Sequence, residues 1–331
     1  MRAAVRELSP SLIREVANAG IGRSDVLPFW FGESDEVTPA FIREAAIASL
    51  QAGETFYAHN LGLPELREAV ARYISDWHPA IGVDRIAITA GGVNGLMIAM
   101  QALVDPGDEV VVVTPVWPNL TAQPHILSAR LRCVPLRPAG SPGGEWSLDL
   151  EVLLAAITPQ TRLLVVVQSF SKSFLMTGWR LGWLVMPASL TEHVGKLIEF
   201  NTSCNSVFTQ RAAITALERT DELTPRLVRH LRSGRDRLVS ALARLPRLQV
   251  SVPRGGMYAF FRLEGYEDSL ILAKRLAAEA GLGLAPGAAF GPEARSWLRW
   301  CFASRDLDRL DRGVERLDAW LAAQSGNPRA L

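Results

Sequence analysis

Apolar residues recur at three- and four-residue spacing over 38–52, 62–77, 91–104, 148–156, 189–199, 207–219, 225–244, 268–279 and 306–323, and predict helices there. Short runs rich in β-branched and other apolar residues, at 85–89, 109–114, 131–136, 162–168, 180–186, 248–252, 257–262 and 297–302, predict strands. From 85 to 186 the two kinds mostly alternate. That order predicts an α/β fold with a mostly parallel central sheet covered by helices on both faces. After 222 a long charged helix and closely spaced strands predict a smaller α+β domain. We expect a large α/β domain over 45–221 and a small α+β domain built from 1–44 and 222–331. No Pro/Gly linker marks the boundary near 221.

Composition narrows the class. A chain of 331 residues, 48% apolar and 21% charged, has the makings of a globular protein with a sizeable core. Its net charge of +1 creates no field that would recruit nucleic acid or an anionic membrane. The longest apolar runs, such as Val110 to Val113, are too short to span a bilayer. The opening MRAAVRELSPSLIREVANAG has no continuous apolar core of the kind a secretory signal needs. Cys133, Cys204 and Cys301 are odd in number and far apart, which predicts neither a disulfide framework nor a metal site. A reducing cytoplasm is the expected setting. The tail from Gln324 to Leu331 is expected to fray.

Three stretches are suited to holding an anion. In Ile86-Ala-Ile-Thr89-Ala-Gly91-Gly92-Val93-Asn94-Gly95 a strand meets a glycine turn and a helix start, where free N–H groups and the helix dipole favour negative charge. A tight turn that merely needs glycine gives the same pattern. It also nears the dinucleotide fingerprint, but Ala90 stands at the first glycine position, and Asp108 lies in a turn, not at a strand end. The second stretch is Gln168-Ser169-Phe-Ser171-Lys172 leading to Gly178-Trp-Arg180-Leu-Gly182. Its serines and arginine suit a phosphate. Lys172, just past a buried strand, is either a surface lysine or a desolvated amine nucleophile with a lowered pKa. The third is Arg299 within Trp297-Leu-Arg299-Trp-Cys301-Phe302. An arginine amid aromatics needs an anion, either a substrate carboxylate or a structural acid.

Together these stretches resemble the class I/II aminotransferases, fold-type I enzymes that use pyridoxal 5'-phosphate. Ser169-Phe-Ser-Lys172 followed by Thr177-Gly-Trp-Arg180-Leu-Gly182 is similar to the family's lysine signature. Phe31 to Pro39 resembles its substrate loop, and Tyr57-Ala-His-Asn60-Leu-Gly62 the segment that reaches a partner subunit. Thr89 to Gly95, Thr114 to Trp117, Pro253 to Tyr258, Ala285 to Gly287 and Arg299 match further motifs, in one order from about Pro28 to Trp320. The resemblance implies transfer of an amino group between an α-amino acid and a 2-oxo acid by a ping-pong route. Lys172 would hold the cofactor covalently and carry the proton. Ser169, Ser171, Arg180 and the Gly92 and Val93 N–H groups would cradle its phosphate, with Asn94 beside them. Trp117 would stack on the ring, Arg299 with the backbone near Gly32 would take the substrate carboxylate, and Tyr57 would serve the neighbouring site of a homodimer. No metal is implied.

The chain departs from the family in one place. The family carries an Asn-Pro-x-x-Gly loop and an Asp-Glu-x-Tyr strand before its lysine strand, whereas here Thr158-Pro-Gln-Thr161 runs through Arg162-Leu-Leu-Val-Val-Val167 directly to Gln168. At least one βαβ unit has no counterpart, and two similar strands look fused into one. The residues that would hold the ring nitrogen and O3′ are lost. No acid lies from Thr161 to Gly182, and Asn201 or Asn205 could offer only neutral hydrogen bonds. The alternatives are therefore a catalytically impaired or inactive relative that binds the cofactor weakly, an S-x-x-K serine hydrolase using Ser169 and Lys172, and a nicotinamide oxidoreductase built on the 86–95 turn. Ser203-Cys-Asn205 lies downstream as in such hydrolases, but no Lys-Thr-Gly follows.

Overall fold

A computed structural model of the chain describes residues 1–138, 140, 144–159, 161 and 167–325. The helical periods at 38–52, 62–77 and 91–104 appear as helices Ala40–Gln51, Pro64–Ser75 and Gly92–Leu103. The long charged helix runs over Thr220–Leu242, starting before the expected 225. Pro225 deprives it of one hydrogen bond, but Leu223 and Leu227 are buried on its inner face and hold the first turns in place. Besides the single turns Ala3–Arg6 and Phe170–Ser173, two helices lie outside the expected stretches. Leu12–Gly20 is capped by the Ser11 hydroxyl, which accepts from the Arg14 N–H, and buries Ile13, Val16, Ala17 and Gly20. Asn119–Ile126 is short and contains Pro124, which masks its period.

The strands are β1 (Leu27–Pro28), β2 (Ile86–Thr89), β3 (Glu109–Thr114), β4 (Arg130–Pro135), β5 (Val167–Ser169), β6 (Gly182–Val185), β7 (Leu248–Val250), β8 (Tyr258–Leu263), β9 (Leu282–Gly283), β10 (Ala285–Pro286) and β11 (Trp297–Cys301). They form sheets ordered β2-β6-β5, β3-β4, β10-β11-β8-β7 and β1-β9. β3 and β4 pair in parallel, as alternation predicts. β6 instead lies antiparallel between β2 and β5. Between Ser169 and Gly182 the chain makes only the short helix Phe170–Ser173 and the turn Thr177–Trp179. Without a full crossover helix it returns antiparallel.

The expected strand 162–168 falls mostly on residues outside the described ones. Its flanks are informative. Thr161 bridges in parallel to Glu109 of β3. Val167 pairs with Leu184 of β6. Among the described residues no strand pairing joins the β3-β4 sheet to the β2-β6-β5 sheet.

Hydrophobic contacts among the described residues fall into several groups. One core joins Ile13, Val16, Phe29 and Trp30 to the C-terminal elements, including Leu238, Phe261, Leu272, Trp300 and Leu317. A second joins Ile42, Leu66, Ile86, Ile88, Phe170, Phe174, Trp183 and Ala213. Met100, Val104, Val110 and Val112 make a small core of their own beside β3. Within the four-stranded sheet, alternation separates two faces. Ala259, Phe261, Leu298 and Trp300 enter the first core. Tyr258, Phe260, Arg299 and Cys301 share the other face, since Arg299 pairs with Phe260 and Cys301 with Tyr258.

Candidate active site

Lys172 sits at the end of the helix Phe170–Ser173, directly after β5. The Ser169 hydroxyl caps that helix by accepting from the Ser171 N–H at 2.9 Å. Phe170 and Phe174 are fully buried against Trp183, which fixes the helix from below. Lys172 donates from Nζ to the Gly32 carbonyl. Its side chain is reached by solvent, yet protein surrounds the cleft on enough sides that desolvation lowers its pKa. Arg299 and Arg180 lower it further, against Cys301 and Glu33, which raise it. Of the two readings the sequence leaves open, a surface lysine and a desolvated amine, the lowered pKa favours the second.

The glycine turn lies alongside. Gly91 precedes the helix Gly92–Leu103 at φ +87°, a conformation that favours glycine. A Cβ on Gly91 would meet the Arg180 guanidinium, and one on Gly182 would come within 2.6 Å of the Gln168 carbonyl and 3.0 Å of the Gly92 nitrogen. These glycines let β5, β6 and the helix N-terminus close on one another. The first N–H groups of a helix have no partner within it. Asn94 is occupied differently from Gly92 and Val93: its side-chain oxygen accepts from the Ala90 N–H at 3.2 Å and closes the turn. Arg180 has a left-handed backbone, φ +52°, and donates from Nη1 to the Thr177 carbonyl at 2.7 Å. A non-glycine residue held there is a strained position that aims its side chain.

Arg299 is buried at the centre of β11. Its Nη2 donates to the Trp30 carbonyl at 2.6 Å, and the rings of Tyr258 and Phe290 lie 4.3 and 4.6 Å from its guanidinium carbon. Burial lowers its pKa. Its Nε is buried with no partner among the described residues. Among the described residues no carboxylate side chain is hydrogen-bonded or ion-paired to it, so no structural acid holds it there. The Trp30 and Gly32 carbonyls thus engage Arg299 and Lys172 from one strap of chain.

Trp117 lies 41% exposed in the turn after β3, and the neighbouring Val116 N–H donates to the Phe290 carbonyl at 2.7 Å. Tyr57 stands apart, 88% exposed next to Phe56, with no contact to the site of its own chain. Asn205 is not free to serve a ligand: it is buried and donates from Nδ2 to the Ile88 carbonyl at 3.0 Å. Asn201 is on the helix Thr191–Thr202 and donates to Gln101 and the Leu197 carbonyl. Sequence reasoning gives no role to Tyr258 or Cys301, and leaves Trp30 and Phe290 either to line an apolar pocket or to pack the core. The β8–β11 register, which sequence does not specify, puts Tyr258 on the Arg299 face, and Phe290 reaches the guanidinium from the turn after β10.

The chain matches the family model for aminotransferase class I and II over residues 25–166 and again over 159–317. It belongs to this family, whose members depend on pyridoxal phosphate. The two matches overlap at residues 159–166, the stretch where the sequence departs from the family pattern. The chain is 25% identical to a probable aspartate aminotransferase of Methanocaldococcus jannaschii over 367 aligned positions, covering 92% of this chain and 95% of the other. It is 29% identical to a probable N-acetyl-LL-diaminopimelate aminotransferase of Bacillus subtilis over 377 positions, covering 96% and 94%. Both alignments are longer than the chain's 331 residues, so positions of these relatives have no counterpart here. Among solved structures, the aspartate aminotransferase of Thermus thermophilus with maleate superposes with a TM-score of 0.87 at 26% identity, covering 96% of this chain and 99% of that one. The protein is an aminotransferase of fold type I, acting on an amino acid and a 2-oxo acid. Among the described residues no helix is long and apolar enough to cross a membrane.

The residues fit this cofactor at two ends. Arg180, Ser169 and the unpaired N–H groups of the helix start suit its phosphate, and the desolvated Lys172 suits its aldehyde. The ring-nitrogen end finds no carboxylate between Thr161 and Gly182. Arg180→Lys is expected to weaken cofactor binding about fivefold to a hundredfold, because an ammonium keeps the charge and loses the planar fork. Fluorescence titration of the wild type and variant with pyridoxal phosphate measures this. Equal affinities would remove Arg180 from the cradle.

Proposed function

We propose that Lys172 is the covalent and proton-carrying residue of an amino-group transfer centred on the cleft between β5, the helix Gly92–Leu103 and β11. The observation that carries this is Lys172 directly after β5, donating to the Gly32 carbonyl, with a pKa lowered first by burial and also by Arg299 and Arg180. Pyridoxal phosphate, when bound, supplies an aldehyde that takes up the substrate's amino group and a ring that withdraws electrons from its Cα. Arg180, Ser169, Ser171, Gly92 and Val93 hold the phosphate, Asn94 shapes their turn, and Trp117 covers the ring. Arg299 and the backbone at Gly32 orient the substrate carboxylate, so that one Cα bond faces the Lys172 amine. That amine takes the proton from Cα and returns it on the other side of the exchange. Its lowered pKa keeps more of it neutral near pH 7 than an ordinary lysine, which a base requires.

The exposed Phe56–Tyr57 pair supports a homodimer in which Tyr57 completes the partner's site. The first core, which joins the two chain ends, supports a small domain from 1–44 and 222–331 beside a large one over 45–221, while Ile42 and Leu223 at its borders pack with the large domain. A cytoplasmic location is consistent with the three free cysteines.

Borohydride reduction of the cofactor-loaded protein followed by peptide mapping tests the assignment. The adduct is expected on Lys172 and is expected to vanish in Lys172→Ala. An adduct on another lysine would refute it.

A further inference from the structure

We propose that Tyr258 is a positioning residue for Arg299 and presents its own hydroxyl to the substrate carboxylate as a second donor. This rests on the assignment of Arg299 as the carboxylate site.

The geometry starts from strand register. Tyr258 opens β8 opposite Cys301, and Arg299 lies two residues back along β11, so both side chains stand on the same face. The Tyr258 ring lies 4.3 Å from the guanidinium carbon. Phe290 closes on it at 4.6 Å. Two aromatic rings and one hydrogen bond, to the Trp30 carbonyl, therefore determine how the guanidinium is turned. That hydrogen bond uses Nη2 and leaves the buried Nε unpaired. A buried donor without an acceptor is costly unless a ligand supplies one.

The hydroxyl end of Tyr258 lies against Gly32. A Cβ at residue 32 would overlap the phenol oxygen, so glycine there is what allows the contact. Gly32 is also the residue whose carbonyl takes Lys172. The hydroxyl has no hydrogen-bond partner among the described residues, although Tyr258 is largely enclosed. Tyr258 thus spans the two groups the substrate must meet: its ring steadies the carboxylate clamp and its oxygen borders the strap at the lysine. A phenylalanine could steady the arginine but could not donate to the carboxylate.

The test is calorimetric binding of 3-phenylpropionate, a carboxylate without an amino group, to cofactor-loaded wild type, Tyr258→Phe, Tyr258→Leu and Arg299→Lys. Loss of the hydroxyl alone is expected to weaken binding by about 2- to 10-fold in Tyr258→Phe. Loss of ring and hydroxyl in Tyr258→Leu is expected to weaken it by roughly tenfold to a hundredfold. Cofactor fixed at Lys172 by borohydride is expected to be unchanged in both, which a merely structural role would not allow. With amino-acid substrate, KM is expected to rise more than kcat falls. If Arg299→Lys leaves the affinity unchanged, the underlying carboxylate assignment fails and this proposal with it. If Arg299→Lys weakens binding and Tyr258→Leu does not, Tyr258 alone is overturned. A Tyr258→Phe protein equal to wild type removes the hydroxyl contact. Should Tyr258→Leu fail to load cofactor, the near-isosteric Tyr258→Phe decides the case.

Discussion

Single-turnover amino transfer from any of a panel of amino acids is expected to run roughly two to three decades slower than the 1–10³ per second usual for enzymes. The cause is the end of the site that the chain does not furnish. Rate depends on groups aimed at charge that develops during reaction, and one such group is commonly worth about 3–4 kcal/mol. From Thr161 to Gly182 there is no aspartate or glutamate to keep a ring nitrogen protonated. The two asparagines that could have stood in are committed elsewhere, Asn205 to the Ile88 carbonyl and Asn201 to Gln101 and its own helix. The proposed phosphate cradle and Lys172 do not depend on that acid, so loading should survive where turnover suffers. Rapid mixing of the loaded protein with amino acids, followed at the cofactor's visible bands, gives the rate. A value within the usual enzyme range would show that another residue does the missing acid's work.

Arg299→Leu is expected to separate stability from function. The guanidinium is deeply buried, burial lowers its pKa, and it makes one hydrogen bond. Replacing such a charge by an apolar side chain relieves desolvation, while the Trp30 carbonyl loses its donor at a cost of about 1–3 kcal/mol. These oppose each other, so the midpoint of denaturant unfolding should shift by no more than about 1 kcal/mol equivalent. Substrate binding should lose about 2–3 kcal/mol, or roughly 30- to 150-fold in carboxylate affinity, because a charge-assisted pair has gone. Urea titration and substrate KM, measured together, check both halves. A large loss of stability with KM unchanged would make Arg299 a structural residue.

Much of this was legible in sequence, for reasons that differ by element. The strand–turn–helix at 86–95 was readable because glycine at left-handed φ and an apolar strand leave few other conformations. Lys172 and Arg180 were readable because polar residues placed right after a buried strand are unusual. Arg299 was readable as a charge in an aromatic strand, but not its partner, because backbone carbonyls such as that of Trp30 leave no mark in sequence. The antiparallel course of β6 was missed, since period-2 patterning says nothing about direction. Tyr258 sat in a recognised motif without a role, because the task proposed for it depends on a diagonal contact with Arg299, 41 residues further along the chain. The helix Leu12–Gly20 had its cap and its apolar spacing in view, and only its short length hid it.

The helix Gly92–Leu103 belongs to two groups of hydrophobic contacts at once. Its Ile98 and Ala99 pack with Ala87 of β2 and Leu184 of β6, while its Met100 packs with Val110 and Val112 of β3. On the proposed assignment its N-terminus is the phosphate turn. A phosphate held there would bind only the folded helix, and mass action would then favour an element that both groups share. Cofactor loading is thereby expected to steady strands on two sides of the helix as well as the site itself.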